Sequence, residues 1–315
     1  MAIAVLDGVA PSPLSRLVDD YLNNCQARGL SPRTLDNSYG YALRAVFLPW
    51  CTEQGIQDVK ELDGRAVDRF TTSLLQRRRD GHPISKHTVH SYVRPVRQML
   101  TWAARVGEEV RAKPQLPRVT KPIRDVLSRD EIDAMEKTVA SERDKLIVRI
   151  LGDCGLRLWE LTQLAPSAIV RSGRQAHLRV LGKGGRVRDV PLPPHLLRRL
   201  ERHIDGRSVD RSEDRLWLSL RRSETGRYDA LTSSGVYQVI KDAVVRARIT
   251  KRVHPHLLRH SWMTEMLRNG MNPIQLSIIA GASLPVIMEH YTHLTKDDAY
   301  EAMLRVLSGS GGART

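Results

Sequence analysis

The sequence predicts a mainly α fold in two parts, an N-terminal four-helix bundle followed by an α+β domain with a small antiparallel sheet. Three observations predict it. Between residues 14 and 103, apolar side chains recur every three or four positions in four runs, separated by short polar or glycine-bearing breaks. From 108 to 126 the periodicity stops, and Pro114, Pro117 and Pro122 alternate with Arg111, Lys113, Arg118, Lys121 and Arg124. Beyond that, a helical run gives way to two short, partly alternating segments, His177 to Leu181 and Arg186 to Pro191, on either side of Gly182-Lys183-Gly184-Gly185.

Leu14, Leu17, Val18, Tyr21, Leu22 and Cys25 form the stripe of the first helix, which Gly29 stops. The second starts at Ser31-Pro32 and places Tyr39, Ala42, Leu43, Val46, Phe47 and Trp50 on one stripe. A third follows Asp63 with Val67, Phe70 and Leu74, and a fourth follows Ser85 with Val89, Tyr92, Val93, Val96, Met99, Leu100 and Ala103. Pro95 is expected to kink the fourth, because it lacks a backbone donor and crowds the preceding turn. In the second part, Ser128-Arg129-Asp130-Glu131 is a capping-box pattern, and Leu146 to Leu151 reads as a buried helical run. Helices are also expected near His195 to Ile204, Ser233 to Ala247 and 296 to 307, with a strand-like Leu216 to Leu218. The expected boundaries are a disordered N-terminus over 1–11, the bundle over 12–109, an extended basic linker over 110–126, the second domain over 127–307 and a disordered tail over 308–315.

The 315 residues, 41% of them hydrophobic, suffice for two domains with real cores. Fifty Lys plus Arg against 35 Asp plus Glu give a net charge of +15. That balance points to a polyanionic partner, while the hydrophobic fraction argues against wholesale disorder. Cys25, Cys51 and Cys154 lie in apolar patterns without metal-type spacing and read as reduced core residues. No basic segment followed by a long apolar run opens the chain, and no stretch is long enough to span a bilayer, so a cytoplasmic protein is expected.

His256 and Arg259 stand three apart after Pro255, on one face of a helix that Gly270 ends, and form a plausible anion-facing pair. Arg157 follows Gly155 at the start of another helix, with Glu160 three residues on as a candidate ion-pair partner. Lys183 sits at the tip of a glycine-rich hairpin. That loop lacks the spacing and terminal Lys-Ser/Thr of a nucleotide-binding loop, which leaves delivery of one Lys into a groove as its better reading. The polar faces of the bundle carry Arg94 and Arg97, and the N-termini of its helices carry Ser31, Arg33 and Thr34, and Lys86, His87 and Thr88. These form a candidate DNA-facing set, suited to phosphate and groove contacts.

Gly155-Leu-Arg157-x-x-Glu160-Leu, the Gly182-Lys183-Gly184 hairpin, His256-x-Leu-Arg259-His260 and Tyr291-Thr-His293 occur in the order and spacing of the tyrosine recombinases, the phage integrase family. The chain resembles that family over essentially its whole length and is similar to its simpler two-domain members, without a separate arm-binding module before residue 12. The resemblance implies a core-binding bundle and a catalytic α+β domain. It implies a site-specific recombinase that cleaves and rejoins DNA through a 3′-phosphotyrosine, with no cofactor, metal or ATP. Arg157 and Arg259 would hold the scissile phosphate, Tyr291 would be the nucleophile, Lys183 would protonate the leaving 5′-oxygen, and His256 would act near Tyr291. Glu160 would support Arg157 and His256. The partners implied are double-stranded DNA carrying recombination half-sites, and three further copies in a tetramer that exchanges C-terminal helices, with no membrane; the setting implied is the nucleoid of a prokaryote or a phage-infected cell.

One position departs from the pattern. Gly281-Ala282-Ser283 stands where a Gly-His or Gly-Trp normally occurs, with the spacing to Tyr291 intact. Loss of one transition-state donor would cost roughly 3 kcal/mol, about a hundredfold in rate, unless replaced. His290, beside Tyr291, is the candidate replacement. The competing function is a catalytically impaired DNA-binding accessory protein on the same scaffold, to which Ala282 would be the clue.

Overall fold

Side-chain caps set where the helices of the first part begin. In a computed structural model, which describes residues 11–119, 125–182, 185–207, 214–290, 300 and 303–304, the chain divides into two compact units, 1–122 and 123–315. In the first, the Ser12 hydroxyl accepts from the Ser15 N–H and opens helix Pro13–Ala27. Asp63 caps Gly64–Gln76 through the Ala66 N–H at 2.6 Å, and Ser85 caps Lys86–Arg105 through the Thr88 N–H. The expected apolar stripes face one another in a single core, where Phe47 meets the edge of Phe70 with ring centroids 5.1 Å apart.

The second helix differs from its expected winding. It starts at Pro32 and continues to Glu53, but Leu35–Phe47 is wound as a π-helix. The expected stripe still faces inward: Ala42, Leu43, Val46 and Phe47 are buried together with Gly40, while Tyr39 and Trp50 are half-buried against the same core. Helix Lys86–Arg105 runs unbroken through a buried Pro95. A two-residue hairpin, Arg78–Arg79 paired with His82–Pro83, was not expected. Its turn is Asp80-Gly81, both at positive φ, as a type I′ turn requires. The stretch expected to be a linker starts as part of this unit, since Ala112 is buried and Val110 and Leu116 lie against its core.

In the second unit, the Ser128 hydroxyl and the Glu131 carboxylate cap helix Arg129–Thr138 reciprocally. Helix Glu142–Asp153 is the central element, buried along Leu146, Ile147, Val148, Ile150 and Leu151. The sheet has three antiparallel strands in sequence order, Ile169–Ser172, Gln175–Leu181 and Val187–Pro191. The first was missed, because its four residues show no clear alternation of burial. Leu216 and Trp217 are fully buried, yet this segment makes one isolated bridge, Leu218 to Ala230, and no strand. Helices Pro194–Asp205, Ser233–Arg246, Pro255–Arg268, Pro273–Ala280 and Leu284–Met288 complete the unit. Of the expected last helix, only Tyr300, Met303 and Leu304 are described; they are helical and exposed. The expected terminal segments, 1–11 and 308–315, lie outside the described residues except for Pro11.

The three cysteines are buried free thiols. Burial pushes the Cys51 thiol up to about 12 and raises that of Cys154 as well. Among the described residues, no helix is long and apolar enough to cross a membrane, and no cluster of His, Cys, Asp or Glu is arranged to hold a metal ion.

Candidate active site

The turn after helix Glu142–Asp153 creates the first part of the site. Gly155 has φ +59°, and a Cβ there would lie 2.0 Å from the Trp262 ring, so only glycine fits. Its carbonyl accepts from Arg259 Nη1. Two residues on, Arg157 is the N-cap of the short helix Leu158–Gln163. Glu160, at the third position of that helix, turns back and accepts the Arg157 backbone N–H at 2.8 Å and Arg157 Nη1 at 2.7 Å. The spacing Arg-x-x-Glu thus lets the N3 carboxylate cap the helix start and aim the guanidinium at once.

Glu160 is fully buried and has a second cationic partner. Arg188, on strand Val187–Pro191, donates Nη1 and Nη2 to its two oxygens at 2.7 and 2.8 Å. Burial by itself raises the Glu160 carboxyl, but the hydrogen bonds from Arg188 and Arg157 outweigh it and hold the pKa below the ordinary glutamate value. Sequence reasoning missed Arg188. It stands among five arginines between 171 and 188, and the available clue was an Arg at an inward-facing register of a strand directly after the glycine-rich turn.

Three arginines meet the end of helix Pro273–Ala280. Arg188 Nε donates to the Ile279 carbonyl at 2.8 Å, Arg259 Nη2 to the Ala280 carbonyl at 2.6 Å, and Arg157 Nη2 to the Gly281 carbonyl. These successive carbonyls are the orphan acceptors of a helix C-terminus, where cations are favoured. Gly281 turns the chain in the left-handed region at φ 60°. Ala282 follows, half-buried against the Trp262, Leu276 and Ile287 cluster.

Arg259 lies on helix Pro255–Arg268 and is 5% exposed. Burial, and then the charge of Arg157, push its pKa down to about 9. A guanidinium keeps its proton in a protein, so the shift measures how poorly this cation is compensated where it stands. Three arginines against one carboxylate leave a surplus positive charge, which an anion would relieve.

His256 is on the same helix but exposed, and lines a cleft of about 600 Å³ with Tyr237, Lys241, Arg252 and His254. The helix start is held by His254, whose Nδ1 accepts the Leu257 N–H. His290 is buried at 4% exposure, its ring centroid 4.2 Å from that of His260 and its Nδ1 3.4 Å from the Thr264 hydroxyl. The sheet register pairs Leu181 with Val187, and the Gly182 N–H donates to the Arg186 carbonyl, so Gly182 enters the expected hairpin turn. Lys183 and Tyr291 themselves lie outside the described residues. In the first unit, Ser31, Arg33, Lys86, His87 and Arg94 are exposed, while Thr34, Thr88 and Arg97 are half-buried.

A mostly helical architecture with a small antiparallel sheet is the fold of tyrosine recombinases. The chain belongs to the phage integrase family, whose description matches residues 125–298, more than half of its length. It is 28% identical over 291 residues to the tyrosine recombinase XerA of Thermococcus onnurineus (strain NA1), across 92% of this chain and 94% of that one. It is also 28% identical over 283 residues to the tyrosine recombinase XerC of Pelobacter propionicus (strain DSM 2379 / NBRC 103807 / OttBd1), across 87% and 89% of the two. The fold is shared with the XerH site-specific recombinase bound to its difH substrate, at a TM-score of 0.69 and 17% identity over 94% of this chain and 97% of that one. It is shared too with the Tn1549 transposon integrase in complex with a circular intermediate DNA, at 0.70 and 17% over 94% and 99%.

Proposed function

We propose that this protein is a site-specific DNA recombinase that cleaves and rejoins duplex DNA through a 3′-phosphotyrosine, without metal or ATP. The observation that carries the reading is the pair Arg157 and Arg259, anchored from below by the Gly155, Ala280 and Gly281 carbonyls and by Glu160. Those anchors use part of each guanidinium's five N–H donors and leave others for the nonbridging oxygens of a phosphate. The two cations are preorganised, so charge developing in the transition state meets donors that need not reorganise.

In this reading the Tyr291 hydroxyl attacks the phosphorus. A bond forms from its oxygen to the 3′-phosphate and the bond to the 5′-oxygen breaks, with Lys183 supplying the proton to that leaving oxygen. His256, exposed in its cleft, takes part in proton movement near Tyr291. His290 supports the same step as a replacement for the donor lacking at Ala282. The free 5′-hydroxyl of a second strand then reverses the reaction. Ser31, Arg33, Thr34, Lys86, His87, Thr88, Arg94 and Arg97 bind the duplex, four protomers assemble on two half-site pairs, and the C-terminal helix passes between neighbours. Exposed Met303 and Leu304 give that helix an apolar face to dock. A cytoplasmic, nucleoid-bound protein fits this role.

The test uses a nicked suicide duplex built on the inverted repeat that the wild-type protein selects from a random-sequence pool. Wild type is expected to form a covalent protein–DNA adduct resistant to detergent. Tyr291→Phe is expected to bind that duplex equally and form none. An adduct that survives the substitution refutes the nucleophile, and a wild type that binds but never forms one leaves the accessory-protein reading in its place.

A further inference from the structure

We propose that Arg188 is a positioning residue for strand cleavage, setting Arg157, the turn before Ala282 and the base of the Lys183 hairpin in one geometry. The proposal rests on the recombinase reading above. Three of the Arg188 side-chain donors point inward, Nη1 and Nη2 to the Glu160 carboxylate and Nε to the Ile279 carbonyl. Its side chain is 9% exposed, so it is poorly placed to contact DNA and acts through its neighbours.

Each neighbour leads to a different part of the site. Glu160 holds the Arg157 guanidinium at 2.7 Å. Ile279 is the first of the three carbonyls that also tether Arg259 and Arg157, and a Cβ on Gly281 would lie 3.0 Å from Arg188 Cδ. The stem of Arg188 therefore packs directly against the left-handed turn that leads into Ala282. On the hairpin side, a Cβ on Gly182 would lie 3.6 Å from Arg188 Nη1 and 3.9 Å from Glu160 Oε1, so the residue before Lys183 lies beside this same ion pair. Arg157 makes the matching set from the other side, its backbone N–H and Nη1 to Glu160 and Nη2 to the Gly281 carbonyl, so Arg188 and Arg157 share both anchors.

The chemistry requires an arginine. Two parallel N–H···O bonds to one carboxylate, with a third donor directed elsewhere in the same plane for a carbonyl, come from a planar fork; a lysine supplies the charge from a single flexible point. Catalysis by fixed dipoles is sensitive to displacements of about 1 Å, so loosening this joint slows the chemical step without removing a phosphate contact.

The experiment compares full-length wild type, Arg188→Lys and Arg188→Gln on the selected suicide duplex, with protein saturating. It records the equilibrium constant for duplex binding, the final amount of covalent adduct and the rate constant of its formation. A fold defect lowers binding and final adduct together. A positioning defect lowers the rate constant while both hold. Expected are binding within about threefold of wild type, full adduct, and a rate constant lower by about a hundredfold for Arg188→Gln and about tenfold for Arg188→Lys. Should Arg188→Gln lose its cooperative melt, Arg188→Lys decides by the same split. A wild-type rate for Arg188→Lys, or losses confined to binding and final adduct, overturns the role. Failure of the wild type itself to form an adduct counts against the parent reading and takes this one with it, whereas a normal wild type beside a normal variant overturns the positioning role alone.

Discussion

Gly155 couples folding and chemistry at a single residue. Its φ of +59° and the Trp262 ring 2.0 Å from a would-be Cβ exclude any side chain, while its carbonyl receives Arg259 Nη1. Gly155→Ala adds left-handed strain of about 1–2 kcal/mol and overpacking of about 1–3 kcal/mol. We expect it to lower stability by about 2–5 kcal/mol, read as a fall in the urea midpoint, and to slow adduct formation further than Trp262→Ala, because the carbonyl moves with the backbone. A variant with a wild-type midpoint would show that the turn relaxes freely and is no rigid anchor. The sequence placed this glycine just before the helix of Arg157, where it stands. What it did not reveal was the tryptophan 107 positions away that makes the glycine obligatory.

At the scale of elements, the end of helix Pro273–Ala280 organises the site, and it was the least legible part of the chain. Arg157, Glu160, His256 and Arg259 were readable because each sits at a fixed offset from a helix start, and local spacing determines which face it occupies. The first strand, the π-wound middle of the second helix and Arg188 were not: the strand is four residues long without clear alternation, nothing in the residue spacing sets the wider winding apart, and the partner of Arg188 is a carboxylate 28 residues away. The helix end bears on Ala282 in the same way. Its backbone N–H donates to the Ser277 carbonyl, and the three preceding carbonyls are each tied to an arginine, so residue 282 stands at a fixed place beside the guanidinium cluster. Ala282→His is therefore expected to put a donor there and raise single-turnover cleavage by about tenfold or more, within the hundredfold that one such donor supplies. A fall in rate with unchanged binding would mean that the apolar contacts of Ala282 with the Trp262 cluster serve the site better than an imidazole does. If His290→Ala leaves the wild-type rate unaltered, His290 is a packing residue and no substitute donor.

For the molecule as a whole, the second unit is tied together by carboxylates held in their charged form. Glu131 receives Lys251 Nζ at 2.7 Å, Asp133 receives Arg149 Nη2 at 2.6 Å, Glu136 receives Arg199 Nη1 at 2.6 Å, and Glu160 receives Arg157 and Arg188. For Glu131, Glu136 and Glu160, burial acts to raise the pKa and the cationic partners more than reverse it; for Asp133, the Arg149 hydrogen bond leads. All four lie below their ordinary values when folded, so in acid the unfolded chain binds more protons than the folded one. Their contribution to stability is thus fully present above the unfolded carboxylate pKa values, about 3.9–4.3, and is lost as pH falls through the depressed folded values. The network spans helices Arg129–Thr138 and Glu142–Asp153, the short helix that carries Arg157, and the strand that carries Arg188, so the loss is shared by the frame of the site. The urea midpoint is expected to be nearly flat between about pH 5.5 and 8 and to drop steeply below about pH 4.5. Amide exchange in Arg129–Thr138 and Glu142–Asp153 should accelerate over the same acid range. Glu136→Gln, which removes a carboxylate shared by Arg149 and Arg199, should lower the neutral midpoint and flatten the acid slope. A midpoint that holds steady down to pH 3 would mean that these ion pairs contribute little net stability, and that the apolar core around helix Glu142–Asp153 maintains the site geometry alone.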